Sequence, residues 1–567
     1  MLNYAKTINQ SHDITALLGY QEVYYNSYDV DASKKGLISD QFNQFDNATD
    51  MTSIGGSATD YASRSVFGRV TYGYKSRYLL EGNFRYDGSS RFYKDNRWGF
   101  FPSFSGAWRI SEESFMEKTR SWLDNLKIRL SWGKLGNSEV GNYPYQAVYN
   151  NVNYVFGNLL TTGLAATKLS NVLLQWESTT STNLGIDATF LNGRLNFTAD
   201  LYDKNTDDIL YQPDLLPSIG DKTKPYQNIA TVNNKGVEVT LGWQDNIGGF
   251  HYSVTGNFAY NHNEVTKFKG KLEEGWTVDE EGNKVYHTNI GEVSTGSSTR
   301  VIEGHQINEY YLRNVYKGDG SYYNADGSVN INGGPKDGMI RTEADAQWVK
   351  DMMAAGYSFK PGNSFDKSHI YYGDFIYADS NGDGVYGGDN DQTFQGFSST
   401  PKYNYGFQLS ASYKGFDFSM NWAGAAGFKI YWGSTTGLNS STTEHGSNIP
   451  QEIADDHYFY DPENPSDPRT NVYATYPRMA YIDGADQNKY ESTHWLFNGN
   501  YLKLKNVTFG YTLPKAWTNK ISAQTVRLYV SAENVLNFNS FMGQDPEVGA
   551  TGYAPNKSVA IGANITF

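Results

Sequence analysis

The chain contains no cysteine, so disulfide staples and thiolate metal sites are excluded from the outset. It also lacks any run of about 18 apolar residues, and its mean hydropathy of -0.59 excludes a helical membrane protein. Basic charge is scarce: Lys+Arg 47 against Asp+Glu 61 gives a net charge of -14. That balance argues against a nucleic-acid partner, which would need a basic face to neutralise phosphates. The nine histidines form no HExxH, and neither GxSxG nor a phosphate-binding loop occurs, so no hydrolase chemistry is expected and no catalytic residue is assigned. The first residues, MLNYAKTINQ, have neither the basic nor the apolar region of a secretory signal.

What is abundant is aromatic residues and glycine. Tyr 45, Phe 30 and Trp 12 make the chain 15% aromatic, and Gly 57 stands beside only Pro 16. Aromatic residues favour strands and glycine favours turns. The order of residues agrees, because apolar and polar positions alternate along many segments. Val66, Gly68, Val70, Tyr72 and Tyr74 oppose Phe67, Arg69, Thr71 and Gly73, and a short turn at Lys75 to Arg77 leads into Tyr78, Leu80, Gly82, Phe84 and Tyr86. The pattern recurs at Leu126 to Trp132, Leu184 to Phe190, Leu195 to Leu201, Val237 to Trp243, Phe250 to Tyr260, Tyr405 to Tyr413, Phe416 to Trp422 and Val526 to Ala532.

This spacing predicts about 14 to 16 strands of about nine to twelve residues, the length of a tilted strand crossing a bilayer. The expected fold is therefore all-β, an antiparallel transmembrane β-barrel of the outer membrane, with the whole chain 1–567 belonging to it. Long external loops are expected at about 25–63, 136–172, 263–400 and 424–497, alternating with short turns. Inward positions such as Arg85, Arg129, Asp187, Asp200, Glu238 and Glu533 would face a polar lumen. Soluble sandwiches, propellers and solenoids also alternate, but their strands are shorter, about five or six residues.

Two local patterns carry possible chemistry. In YADSNGDGVYGGDND, Asp379, Asn381 and Asp383 supply oxygens at positions 1, 3 and 5 of a calcium-type loop, Gly384 follows, and the Val385 carbonyl stands at position 7. The closing acidic residue is displaced, since Asn390 lies between Asp389 and Asp391; a plain Asx turn without calcium explains the same residues. Trp276, Trp348, Trp432 and Trp495 lie in the loop segments, where an indole face suits a sugar ring, with loop packing as the alternative. His494 reads as a loop residue. The last strand, Val559, Ile561, Ala563, Ile565 and Phe567, ends on a C-terminal aromatic.

Several blocks together resemble the SusC/RagA family of TonB-dependent outer-membrane transporters: RSVFGRVTYGYKSRYLLEGNFRYDGSSRF (64–92), WGFFPSFSGAWRISEESFM (98–116), LKIRLSWGKLGN (126–137), WESTTSTNLGIDATFLNGRLNFTADLYDKNTDDIL (176–210), NKGVEVTLGW (234–243), YLKLKNVTFGYTLP (501–514) and LYVSAENVLNF (528–538). The resemblance implies import of oligosaccharides or peptides, a SusD-like surface lipoprotein as partner, and energy from the TonB complex. It implies a plugged barrel of about 22 strands, of which this chain would be the C-terminal portion, without plug or TonB box. The terminal strand resembles the signal read by the barrel assembly machinery. A passive porin or receptor barrel, and a soluble β-rich binding protein, are the alternatives.

Overall fold

The computed structural model describes all residues except 40, 214–217, 219–222, 434–448, 480–485 and 551. Fifteen strands, within the expected range, form one large sheet ordered as they occur in the chain. They are β1 (Leu2–Ile8), β2 (His12–Leu37), β3 (Ala48–Tyr74), β4 (Tyr78–Ser89), β5 (Trp98–Arg109), β6 (Leu123–Asn137), β7 (Glu177–Phe190) and β8 (Leu195–Tyr211). The remainder are β9 (Gln227–Ile247), β10 (Phe250–Lys267), β11 (Tyr403–Tyr413), β12 (Phe416–Ala426), β13 (Tyr501–Thr512), β14 (Thr525–Asn539) and β15 (Ser558–Thr566). Among the described residues no helix is long and apolar enough to cross a membrane. The chain divides into two compact units, Met1–Leu191 with Asp200–Lys235, and Asn192–Ala199 with Gly236–Phe567.

In the first unit the alternation becomes a two-faced sheet. Antiparallel register places Tyr4 beside Ala16, Ala16 beside Val70, Val70 beside Gly82, Gly82 beside Phe104 and Phe104 beside Trp132, one continuous apolar row. On the other face Arg129 forks onto two carboxylates: Nε and Nη2 donate to Asp187 at 2.9 Å, and Nη1 and Nη2 donate to Asp200 at 3.0 Å. Such planar pairing satisfies guanidinium and carboxylate together. The turn at Lys75 and Ser76 takes φ of 50° and 52°, the left-handed geometry that matches strand twist in a tight hairpin.

The segment 25–63 differs from expectation. Residues 25–37 and 48–63 are strand rather than loop, and β2 and β3 run for 26 and 27 residues. Beyond Ser63, where β4 stops pairing, they continue as a two-stranded ribbon. The even positions Tyr24, Tyr28, Val30 and Ala32 share one face, while Ser27, Asp29, Asp31 and Ser33 share the other. The Ser, Asp and Gly content reads as loop, yet the backbone ladder needs only alternation. The expected loop 136–172 likewise contains a hairpin, Tyr149–Phe156 with Leu159–Ala166.

In the second unit a second apolar row runs Val254, Leu409, Met420, Val507, Ala532, Val559 across six strands. Between β10 and β11 the chain builds a water-soluble type of core. The helix Glu343–Ala354 starts at a capping box: Thr342 Oγ1 accepts from the Asp345 N–H at 3.2 Å, and Asp345 Oδ2 accepts from the Thr342 N–H at 2.8 Å. Its Ala346, Trp348, Val349 and Met352 pack with Met339, Ile340, Ile370, Phe375 and Ile376. A second cluster joins Phe428, Ile430, Trp432, Ile453, Tyr476, Trp495 and Phe541. The segments 263–400 and 424–497 are thus folded where described.

Candidate functional site

Three of the four candidate tryptophans are structural. Trp348 and Trp495 are 0% exposed and Trp432 is 5% exposed, so their faces meet protein rather than ligand. Two find the acceptor a buried indole needs, Trp348 Nε1 donating to the Asn330 carbonyl at 2.8 Å and Trp495 Nε1 to the Asn488 carbonyl at 3.0 Å, while Trp432 packs on Trp495 and Phe497. These candidates are corrected: indoles in a loop that owns a core are drawn into it. Trp276 alone keeps 45% of its surface exposed, and its Nε1 donates to the Asn381 carbonyl at 2.8 Å. That bond ties it to the Asp379 loop.

In that loop the acidic oxygens already serve the backbone. Asp379 accepts the N–H groups of Gly382, Asp383 and Gly384 at 2.7, 3.1 and 2.9 Å, and Asp383 accepts that of Val385 at 2.8 Å. Asn381 Oδ1 accepts the Asp383 N–H, and the Val385 carbonyl accepts the Gly388 N–H. Asp391 is fully buried and accepts from Ser380, Asn381 and Gly388, while burial pushes its carboxyl up to about 6. Asp389 turns outward to Arg313 at 3.3 Å. Among the described residues no three His, Asp or Glu side chains are grouped to hold a metal. The hydrogen bonds of Asp379, Asn381 and Asp383 are those of an Asx-turn loop.

A different place offers ligand chemistry. A cavity of about 510 Å³ is lined by Tyr371, Tyr372, Tyr460, Asp461, Glu463 and Arg478 among others. Arg478 is fixed by the buried Asp374, with Nε to Oδ1 at 2.6 Å and Nη2 to Oδ2 at 3.0 Å, and Asn488 Nδ2 donates to the same carboxylate at 2.8 Å. The guanidinium lies 5.8 Å from the Tyr371 ring centre, and Tyr460 meets Tyr372 edge-on at 5.3 Å. Tyr372 donates its hydroxyl to Glu343. Ring faces beside carboxylates and a held cation can stack on and hydrogen-bond a polar oligomer. The sequence signal was the aromatic density of IYYGD (370–374) and HYFYDPENP (457–465), passed over for tryptophan.

His494, beside Trp495, is buried against Phe375 and Tyr476, and its Nε2 has no hydrogen-bond partner. Burial lowers its pKa to about 4, so it stays neutral and is a packing residue. On β15, Val559, Ile561, Ile565 and the terminal Phe567 are exposed together with Ala563 on one face, the state of side chains meant for hydrocarbon.

Known proteins agree with this architecture. The family described as TonB dependent receptor-like, beta-barrel, matches residues 2–368. The TonB-dependent receptor P39 of Formosa agariphila is 29% identical over 100% of this chain and 52% of its own length. The TonB-dependent receptor SusC of Bacteroides thetaiotaomicron is 30% identical over 86% of this chain and 42% of its own length. The chain spans about half the length of the curated relatives it matches. The solved RagAB peptide transporter superposes with a TM-score of 0.72 at 23% identity, over 99% of this chain and 54% of that one, which shows a shared fold. Antiparallel strands with apolar rows, folded loops between long strands and a family match over well over half its length say that the chain belongs to the TonB-dependent receptor β-barrel family of the outer membrane.

Proposed function

We propose that the chain is the barrel portion of an outer-membrane importer that takes up oligosaccharides or peptides, driven by the TonB complex and lidded by a SusD-like lipoprotein. The family match over residues 2–368 carries this reading. The likeness to RagAB, a peptide transporter, and to SusC, a TonB-dependent receptor, supports an importer over a passive porin. The cavity at Tyr371, Tyr460 and Arg478 is the proposed ligand contact in the loops. The exposed apolar strand ending at Phe567 is proposed as the signal for the barrel assembly machinery.

A strain lacking the gene, grown on separate glycans and peptides, should fail on one class of nutrient, and loss of TonB should reproduce the failure. Uptake that persists without TonB would instead establish a passive pore.

A further inference from the structure

We infer that the apolar face of β1 to β6 holds one phospholipid in a fixed groove, its acyl chain over Gly82 and Ala16 and its phosphate at Lys6. The inference rests on the outer-membrane reading of this sheet, and it adds a defined lipid site to a surface that is otherwise a general bilayer contact.

The register makes the groove. Two neighbouring rows cross the sheet on the same face, Leu2, Leu18, Gly68, Phe84, Pro102 and then Tyr4, Ala16, Val70, Gly82, Phe104, Trp132. Small residues Ala16, Gly68, Gly82 and Pro102 occupy the middle, and large ones stand around them, so a hollow of about 830 Å³ forms. This lies in the upper part of the range of small-molecule sites, about 300–1,000 Å³.

The two glycines do different jobs. A Cβ on Gly68 would come within 2.6 Å of the Phe84 ring, so that glycine lets the ring lie flat on the sheet. A Cβ on Gly82 would meet Phe104 at 3.5 Å, an ordinary contact, so nothing in the packing demands glycine there. What Gly82 leaves is depth.

The occupant follows from position. At the two rows of the hollow the polar side chains Arg69 and Asn83 sit on the opposite face, where Arg69 donates to Asn83 at 2.8 Å, so the hollow opens on the side that a barrel turns to hydrocarbon. Lys6 shares the face of Leu2 and Tyr4 and is exposed. It lies two residues, about 7 Å, beyond Tyr4 toward the short turn at Asn9 to Ser11. Short turns mark the periplasmic side, so an ammonium there meets the headgroup level of the phospholipid leaflet. An apolar hollow with one cation at its headgroup end matches one phospholipid.

The test uses the natural full-length protein purified from outer membranes, delipidated in detergent and titrated with phosphatidylglycerol carrying a brominated acyl chain, which quenches tryptophan. Subtracting a Trp132→Phe variant isolates the emission at the groove. The expected result is saturable quenching of Trp132, with the midpoint raised at least about tenfold in Gly82→Leu, which fills the hollow with methylene-sized bulk. Lys6→Ser should weaken binding by a smaller factor. If Gly82→Leu fails to assemble, Ala16→Leu closes the same hollow from the neighbouring strand. Quenching that rises without saturation, or that is the same in wild type and filled variants, shows annular lipid only and overturns the site. Nutrient uptake by the same cells separates this failure from failure of the importer reading.

Discussion

Phe104 and Trp348 are both large aromatic side chains, yet Phe104 on β5 is 59% exposed and Trp348 is fully buried. The contrast extends to their surroundings. Phe100, Leu130 and Trp132 stand open on the strands of the first unit, while Met339, Ile340 and Met352 are closed inside the loop core of the second. One chain therefore meets two solvents. On the strands hydrocarbon supplies the apolar cover, so side chains need no protein above them. In the loops water surrounds the fold, and the same residue types must cover one another.

The comparison is sharpest where each region is given the wrong residue. Trp348→Ala should cost the loop core about 3–5 kcal/mol, because a cavity opens in a packed interior. Protease sensitivity of 263–400 would read the loss, while heat-modifiable migration of the barrel should persist. Leu130→Arg, on the apolar face of β6, should cost about 2–4 kcal/mol if the site is near the bilayer midplane. Denaturant titration in lipid vesicles would measure it, and the same variant should matter little in a water-soluble sheet.

His494 gives the loop core a pH dependence. Its folded pKa, about 4, lies below the ordinary 6.5, so the unfolded chain binds the proton more readily. The stability tied to neutral His494 is full above pH 6.5 and is lost as pH falls toward about 4. His494→Gln should flatten that slope in thermal melts taken across the window. The smallest effect belongs to the ribbon of β2 and β3: Tyr28, 76% exposed, should tolerate Tyr28→Ser within about 0.5 kcal/mol. A larger loss in cells than in the purified protein would show that a partner covers that face.

The strands were legible because period-two alternation is imposed residue by residue. Lys75 to Arg77 turns as the sequence implies, and the apolar sets of β3 and β4 share the face expected of them. The ribbon was less legible, since Asp29, Asp31, Gly55 and Gly56 carry loop-like chemistry on a strand backbone. The loops were hardest, because their contacts join distant residues: Arg478 and Asp374 are 104 positions apart. Tryptophan in these loops marks a core rather than a ligand, whereas tyrosines line the cavity beside Asp461 and Arg478.

The absence of cysteine from these 567 residues makes the central claim directly measurable, since a cysteine introduced on β5 is the one cysteine of this chain. Spin labels placed singly along β5, from Gly99 to Ala107, should alternate in full-length protein in lipid vesicles. Labels at Phe100, Pro102, Phe104 and Gly106 should be accessible to oxygen dissolved in the bilayer, and those at Gly99, Ser103, Ser105 and Ala107 should not show that preference. Uniform access to a water-soluble nickel chelate along the strand, or no period of two, would contradict a sheet that turns one face to lipid.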